Sequence, residues 1–113
     1  MAAVYVNNLV INAGANFSQT FNLESGDTNS ALNLTGYTVS AQMRKYAGSS
    51  TATTFTANIV SPGSLGQIII SLTSSQTTDL KPGRYVYDVV VSQNSTKTRV
   101  IEGMVLVREG VTR

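Results

Sequence analysis

Lys81-Pro82-Gly83-Arg84-Tyr85-Val86-Tyr87-Asp88-Val89-Val90-Val91 is the stretch that decides the fold of this chain. Pro82 fixes φ for a tight turn, Gly83 accepts the positive φ that a type II turn needs next, and the aromatic and β-branched run that follows predicts a long strand. Downstream, Asn94-Ser95 predicts the turn into a second long strand over Thr98 to Val107. Upstream, Thr73 to Leu80 has a Ser/Thr start and no alternation, which predicts a single helical or 3₁₀ turn ending before Pro82.

The rest of the chain alternates with a period of two. Phe17, Phe21 and Leu23 share one parity, broken only by Gln19, and Ser18, Thr20 and Asn22 take the other. After a polar loop from Glu24 to about Asn33, Val39, Ala41 and Met43 face one way and Ser40, Gln42 and Arg44 the other. Phe55, Ala57 and Ile59 mark a strand that Ser61-Pro62-Gly63-Ser64-Leu65-Gly66 turns back into Gln67 to Leu72, a predicted hairpin. Val4 to Ile11 adds an edge strand. About seven strands in one domain spanning residues 1–113 predict an all-β fold, an immunoglobulin-like antiparallel β-sandwich. Tyr85 stands where such sandwiches place a corner tyrosine whose hydroxyl bonds back to the preceding loop, and Tyr87 takes the core position two residues later. The alternative is that both are ordinary half-buried strand aromatics.

Composition removes whole classes of chemistry. With 0 Cys and 0 His, zinc sites, thiol nucleophiles, iron–sulfur clusters and imidazole bases are excluded. Charged residues make up 12% against the roughly 25% of an average soluble protein, so the expected surface is nearly neutral and rich in hydroxyls. A net charge of +2 spread along a strand and a tail does not make the clustered footprint of a nucleic-acid binder. Met1 to Asn8 lacks a cationic start and predicts no secretory signal, and no apolar run reaches the length of a membrane span. Asp88 and Glu102, on strands expected to pair, form a carboxylate pair in one register, but a strand carboxylate is more often the partner of an arginine such as Arg99 or Arg84. Glu24 and Asp27, with Asn22, Asn29 and Asn33, offer oxygen ligands without the spacing of a calcium loop. The expectation is therefore no catalytic residue, no metal and no cofactor.

The last two strands carry a sharper signal, because both of their faces are apolar. Val86 and Val90 lie opposite in parity to Tyr85, Tyr87, Val89 and Val91, and Val100, Met104 and Leu106 lie opposite to Ile101, Val105 and Val107. A two-layer sandwich buries one face of each sheet, so an apolar second face needs cover from this chain's own segments or from a neighbouring molecule. The candidate interface is Val86, Val90, Val100, Met104 and Leu106, with the basic Arg108 and Arg113 beside them.

The succession Phe17-Ser18-Gln19-Thr20-Phe21, Leu34 to Lys45, Leu80 to Val90 and Thr98 to Val107 resembles small virion structural proteins of tailed phages, those of marine cyanobacterial phages above all. More loosely, it is similar to the immunoglobulin-like N-terminal domain of phage baseplate upper proteins. The resemblance implies a non-enzymatic capsid, tail or baseplate component, made in the host cytoplasm, located in the virion and partnered by other virion proteins or by itself. The alternative is an adhesion module in which Tyr5, Tyr37 or Tyr46 stacks on host-surface glycans.

Overall fold

The computed structural model describes residues 5–23 and 33–111. Val4 of the expected edge strand, Glu24 to Leu32 of the expected loop, and Arg113 lie outside the described residues. Among the described residues nine strand segments form two sheets: β1 (Tyr5–Val6), β2 (Leu9–Asn12), β3 (Phe17–Asn22), β4 (Thr38–Arg44), β5 (Ala52–Thr54), β6 (Thr56–Ile59), β7 (Gln67–Leu72), β8 (Gly83–Gln93) and β9 (Thr96–Arg108), with a helical turn α1 (Ser74–Thr78) before β8. The large sheet runs β1-β9-β8-β4-β5 with β2 also on β9, and the small sheet runs β3-β7-β6. β1 and β2 are one edge run interrupted at Asn7-Asn8, and β5 passes to β6 through Phe55 alone, changing sheet. Seven passes of chain thus build an all-β, immunoglobulin-like sandwich. Its pairings are antiparallel except at the N-terminal edge, where β1 and β2 run parallel to β9.

Local chemistry explains the joints. Asn94 and Ser95 take φ of 51° and 74°, so both central residues of the β8–β9 turn are left-handed, as the twist of a two-residue hairpin requires. Thr73 caps α1: its Oγ1 accepts from the Gln76 N–H at 3.3 Å, while the Gln76 Oε1 accepts from the Thr73 N–H at 2.8 Å. The buried Thr77 ties this turn to the β2–β3 connection, where its Oγ1 accepts from the Gly14 N–H (3.1 Å) and donates to the Ala15 carbonyl (2.8 Å). The tight turn expected at Pro82-Gly83 is a strand entry instead. Gly83 has φ of 140°, far from the +80° of a type II turn, and already pairs with Val107. The reversal has been made earlier by α1 and its exit, where the Leu80 N–H donates to the Thr77 carbonyl at 3.1 Å.

The inner faces follow the expected parity. Ile68 and Ile70 from β7, Phe21 from β3, Met43 from β4 and Tyr87, Val89 and Val91 from β8 are buried together. An aromatic relay crosses the sandwich, with ring centroids 6.0 Å apart between Phe17 and Phe55 and 6.3 Å between Phe55 and Tyr87. The Tyr85 hydroxyl donates to the Lys81 carbonyl at 2.7 Å, the corner bond the sequence predicts. One parity expectation fails. Val89 pairs with Ile101 but Val90 with Arg99, so Val100 is the extra residue of a β-bulge and turns inward. Val100 and Ile101 are both fully buried, and Val100 belongs to the core and not to the outer face.

Candidate docking face

The outer face of the large sheet is assembled by register. Leu106 lies between Val10 on β2 and Arg84 on β8, Met104 lies opposite Val86, which lies opposite Arg44, and Glu102 lies opposite Asp88, which lies opposite Gln42. Val10, Met104 and Leu106 are 51%, 45% and 43% exposed, so apolar side chains of two adjacent strands meet solvent together. Val86, on the third, is half-buried among them. Val90 is also half-buried but stands apart, paired with Arg99 and Ser40 beyond the Asp88–Glu102 row. Arg108 is exposed two residues beyond Leu106 on the same face. The described part of the N-terminal run, β1 and β2, does not roof this face; it extends the sheet sideways and adds Val10 to it.

The bulge that buries Val100 also aims Arg99 at the acidic row. Its Nε lies 3.2 Å from Asp88 Oδ2 and its Nη1 lies 3.5 Å from Glu102 Oε1. The two carboxylates are thus register partners shared by one guanidinium, a surface ion-pair network in which each pair contributes about 1 kcal/mol or less. Of the oxygen-rich stretch, Glu24, Asp27 and Asn29 lie outside the described residues. The Asn22 side chain accepts from Gln67 Nε2 at 2.8 Å, and that of Asn33 from the Thr35 N–H at 3.0 Å.

A concavity of about 850 Å³ opens on this face, walled by Lys45, Tyr46 and Ala47 of the β4–β5 loop and by Val6 and Asn8, with Val86, Gly103 and Met104 beneath. Arg44 braces the first wall, donating to the Ser49 carbonyl and, at 3.1 Å, to Gln42 Oε1. The second wall is built on a backbone kink. At Asn7 the chain crosses so close to β9 that a Cβ on Gly103 would sit 2.2 Å from the Asn7 carbonyl oxygen. The Tyr87 hydroxyl donates to that oxygen at 2.5 Å, the Asn7 N–H donates to the Glu102 carbonyl at 3.0 Å, and Asn8 Oδ1 accepts from the Met104 N–H at 3.1 Å. Burial pushes the Tyr87 phenol up to about 12. Of the tyrosines considered for glycan stacking, Tyr46 is exposed at the wall, Tyr37 is half-buried against the core, and the side chain of Tyr5 lies outside the described residues.

Two elements of this face escape a reading of the sequence. Val10 is hidden because Val4 to Ile11 is apolar on both parities, so nothing in the pattern says which side faces out. Gly103 does leave a signal: a glycine inside a β-branched run marks close approach of another backbone.

The small sheet's outer face is of another kind. Ser18, Thr20, Asn22, Thr56 and Asn58 are exposed there, and Gln67, Ile69 and Ser71 of the central strand are half-buried, Ile69 being the apolar one.

No protein-family model matches the sequence, and no curated protein matches it. Among solved structures, InlP of Listeria monocytogenes superposes with a TM-score of 0.54 at 18% identity, covering 90% of this chain and 26% of that one. A family 123 glycoside hydrolase from Clostridium perfringens superposes with a TM-score of 0.48 at 11% identity, covering 98% and 24%. The chain thus spans about a quarter of each. The first likeness supports the β-sandwich fold and nothing beyond it; the second is too loose to bear on any point.

Proposed function

We propose that this domain is a non-enzymatic structural component of a phage particle that docks onto another virion protein through the outer face of its large sheet. The observation that carries the reading is the contrast between the two outer faces of one molecule. Hydroxyls and amides cover the small sheet, whereas Val10, Leu106, Met104 and Val86 form a continuous apolar row on the large one. Burying such a row yields about 25 cal/mol per Å² of apolar surface, which neighbouring protein can collect and water cannot. The resemblance to virion proteins supports the choice of particle.

The test is incorporation. A phage deprived of its own copy is supplied with wild type, Leu106→Glu, Val10→Glu or, as a control on the small sheet, Thr20→Glu, and the copies per purified particle are counted. Leu106→Glu and Val10→Glu should fold, as circular dichroism and size exclusion would show, yet fail to join particles. If both join like Thr20→Glu and wild type, the reading is wrong. A second reading, a glycan-binding adhesion module, is favoured by the placement of Tyr46 beside Gln42, Asp88 and Glu102 around the concavity. Binding on a glycan array that Tyr46→Ala abolishes, together with normal assembly of Leu106→Glu, would select it.

A further inference from the structure

The charges on the docking face are sorted. Asp88 and Glu102, in its middle, are both taken by Arg99. At the end where β8 enters, the balance is different. Arg84 lies directly opposite Leu106, and Arg108 follows Leu106 by two residues on the same face. The Lys45 Nζ is held beside the strand entry, 2.9 Å from where a Cβ of Gly83 would stand and 5.0 Å above the Tyr85 ring. Among the described residues none of these three cations makes an ion pair with a carboxylate. With Lys81 there are, among the described residues, four cations at this end against Asp79 and Glu109, an excess of two.

We infer that the segment seated on this face is acidic as well as apolar: a stretch of another virion protein that lays two or three apolar side chains on Val86, Met104 and Leu106 and presents carboxylates to Arg84 and Arg108. This rests on the docking reading above. Covering the apolar row strips water from the arginines at its border, and a guanidinium desolvated without a partner is strongly disfavoured, so a neutral or basic occupant is selected against. A carboxylate meets the planar fork of arginine with two parallel hydrogen bonds and fixes the partner's register. A second copy meeting this face with its own same face would bring only Asp88 and Glu102, which Arg99 already shares. Nucleic acid would answer the cations but leave the apolar row unmatched.

The experiment extends the incorporation assay with Arg84→Glu/Arg108→Glu, Arg84→Gln/Arg108→Gln and Arg84→Lys/Arg108→Lys, each first checked for a wild-type urea midpoint. The Glu pair should reduce copies per particle by about tenfold or more, the Gln pair by less, and the Lys pair should assemble. A carbodiimide, which joins an amine to a carboxylate with no spacer, should then link position 84 or 108 of the Lys pair to an Asp or Glu of a different virion protein. Normal assembly of the Glu pair beside failure of Leu106→Glu would leave the face docked and overturn the acidic partner. Normal assembly of Leu106→Glu as well would overturn the docking reading itself. Links solely to another copy of this chain, or retention on particles that nuclease abolishes, would also overturn the inference.

Discussion

Replacing Gly103 with alanine tests how the N-terminal edge is held. The new methyl would lie 2.2 Å from the Asn7 oxygen, 2.8 Å from its carbonyl carbon and 3.1 Å from Tyr87 Cε1. No side-chain rotation relieves a clash with backbone, so the Asn7 peptide must withdraw by about 1 Å, beyond the tolerance of the contacts it makes. Three bonds stand on that peptide and its neighbour: Tyr87 hydroxyl to Asn7 carbonyl, Asn7 N–H to Glu102 carbonyl, and Met104 N–H to Asn8 Oδ1. At about 1 kcal/mol each, their loss amounts to roughly 3 kcal/mol, a fall of about 10 °C or more in Tm for a domain of this size. Urea denaturation gives the free energy, and hydrogen exchange should show the Asn7 and Met104 amides losing more protection than those of β7. Gly48→Ala is the matched control, since its methyl would meet only the Tyr46 ring at 3.9 Å. A Gly103→Ala protein within about 0.5 kcal/mol of wild type would refute the close-approach argument.

Three further outcomes follow from single side chains. Tyr85→Phe removes the corner bond to Lys81 and should cost about 1 kcal/mol in urea denaturation; no loss would reduce Tyr85 to an ordinary strand aromatic. Thr77→Val strips partners from the Gly14 N–H and the Ala15 carbonyl and should cost roughly 2–3 kcal/mol, whereas an unchanged midpoint would mean the β2–β3 connection is held by other groups. The Tyr87 phenol stays neutral up to about 12 in the fold but ionises from 10.0 in the unfolded chain. Its contribution is therefore complete below pH 10 and lost as pH climbs from 10 to 12, by at most about 3 kcal/mol. The Tyr87→Phe profile should lack that part of the alkaline decline, so the difference from wild type isolates it, and parallel profiles would contradict it.

Much of this architecture was legible because strand parity is a local signal. Phe21, Met43, Ile70 and Val89 announce their burial by their neighbours, and Asn94-Ser95 announces its turn by residues that tolerate left-handed backbone. Tyr85 and Tyr87 could be placed because a corner bond spans only four residues. The failures have one physical origin. Val100, Gly103 and Val10 depend on how two strands meet, and a bulge or a parallel edge is set by the partner strand, not by the segment's own pattern. Arg99 illustrates the cost: a single extra residue turns Val100 inward and places Arg99 on the acidic row. The Pro82-Gly83 expectation erred for a related reason, since α1 had already reversed the chain.

The docking claim is tested most directly by the methionines. Met104 is 45% exposed on the candidate face, and Met43, at 1%, is an internal standard in the core. Mild peroxide followed by peptide mass spectrometry should oxidise Met104 in the free protein and spare it in intact particles, with Met43 spared in both. Equal oxidation of Met104 in the two states, or absence of the chain from purified particles, would contradict the account.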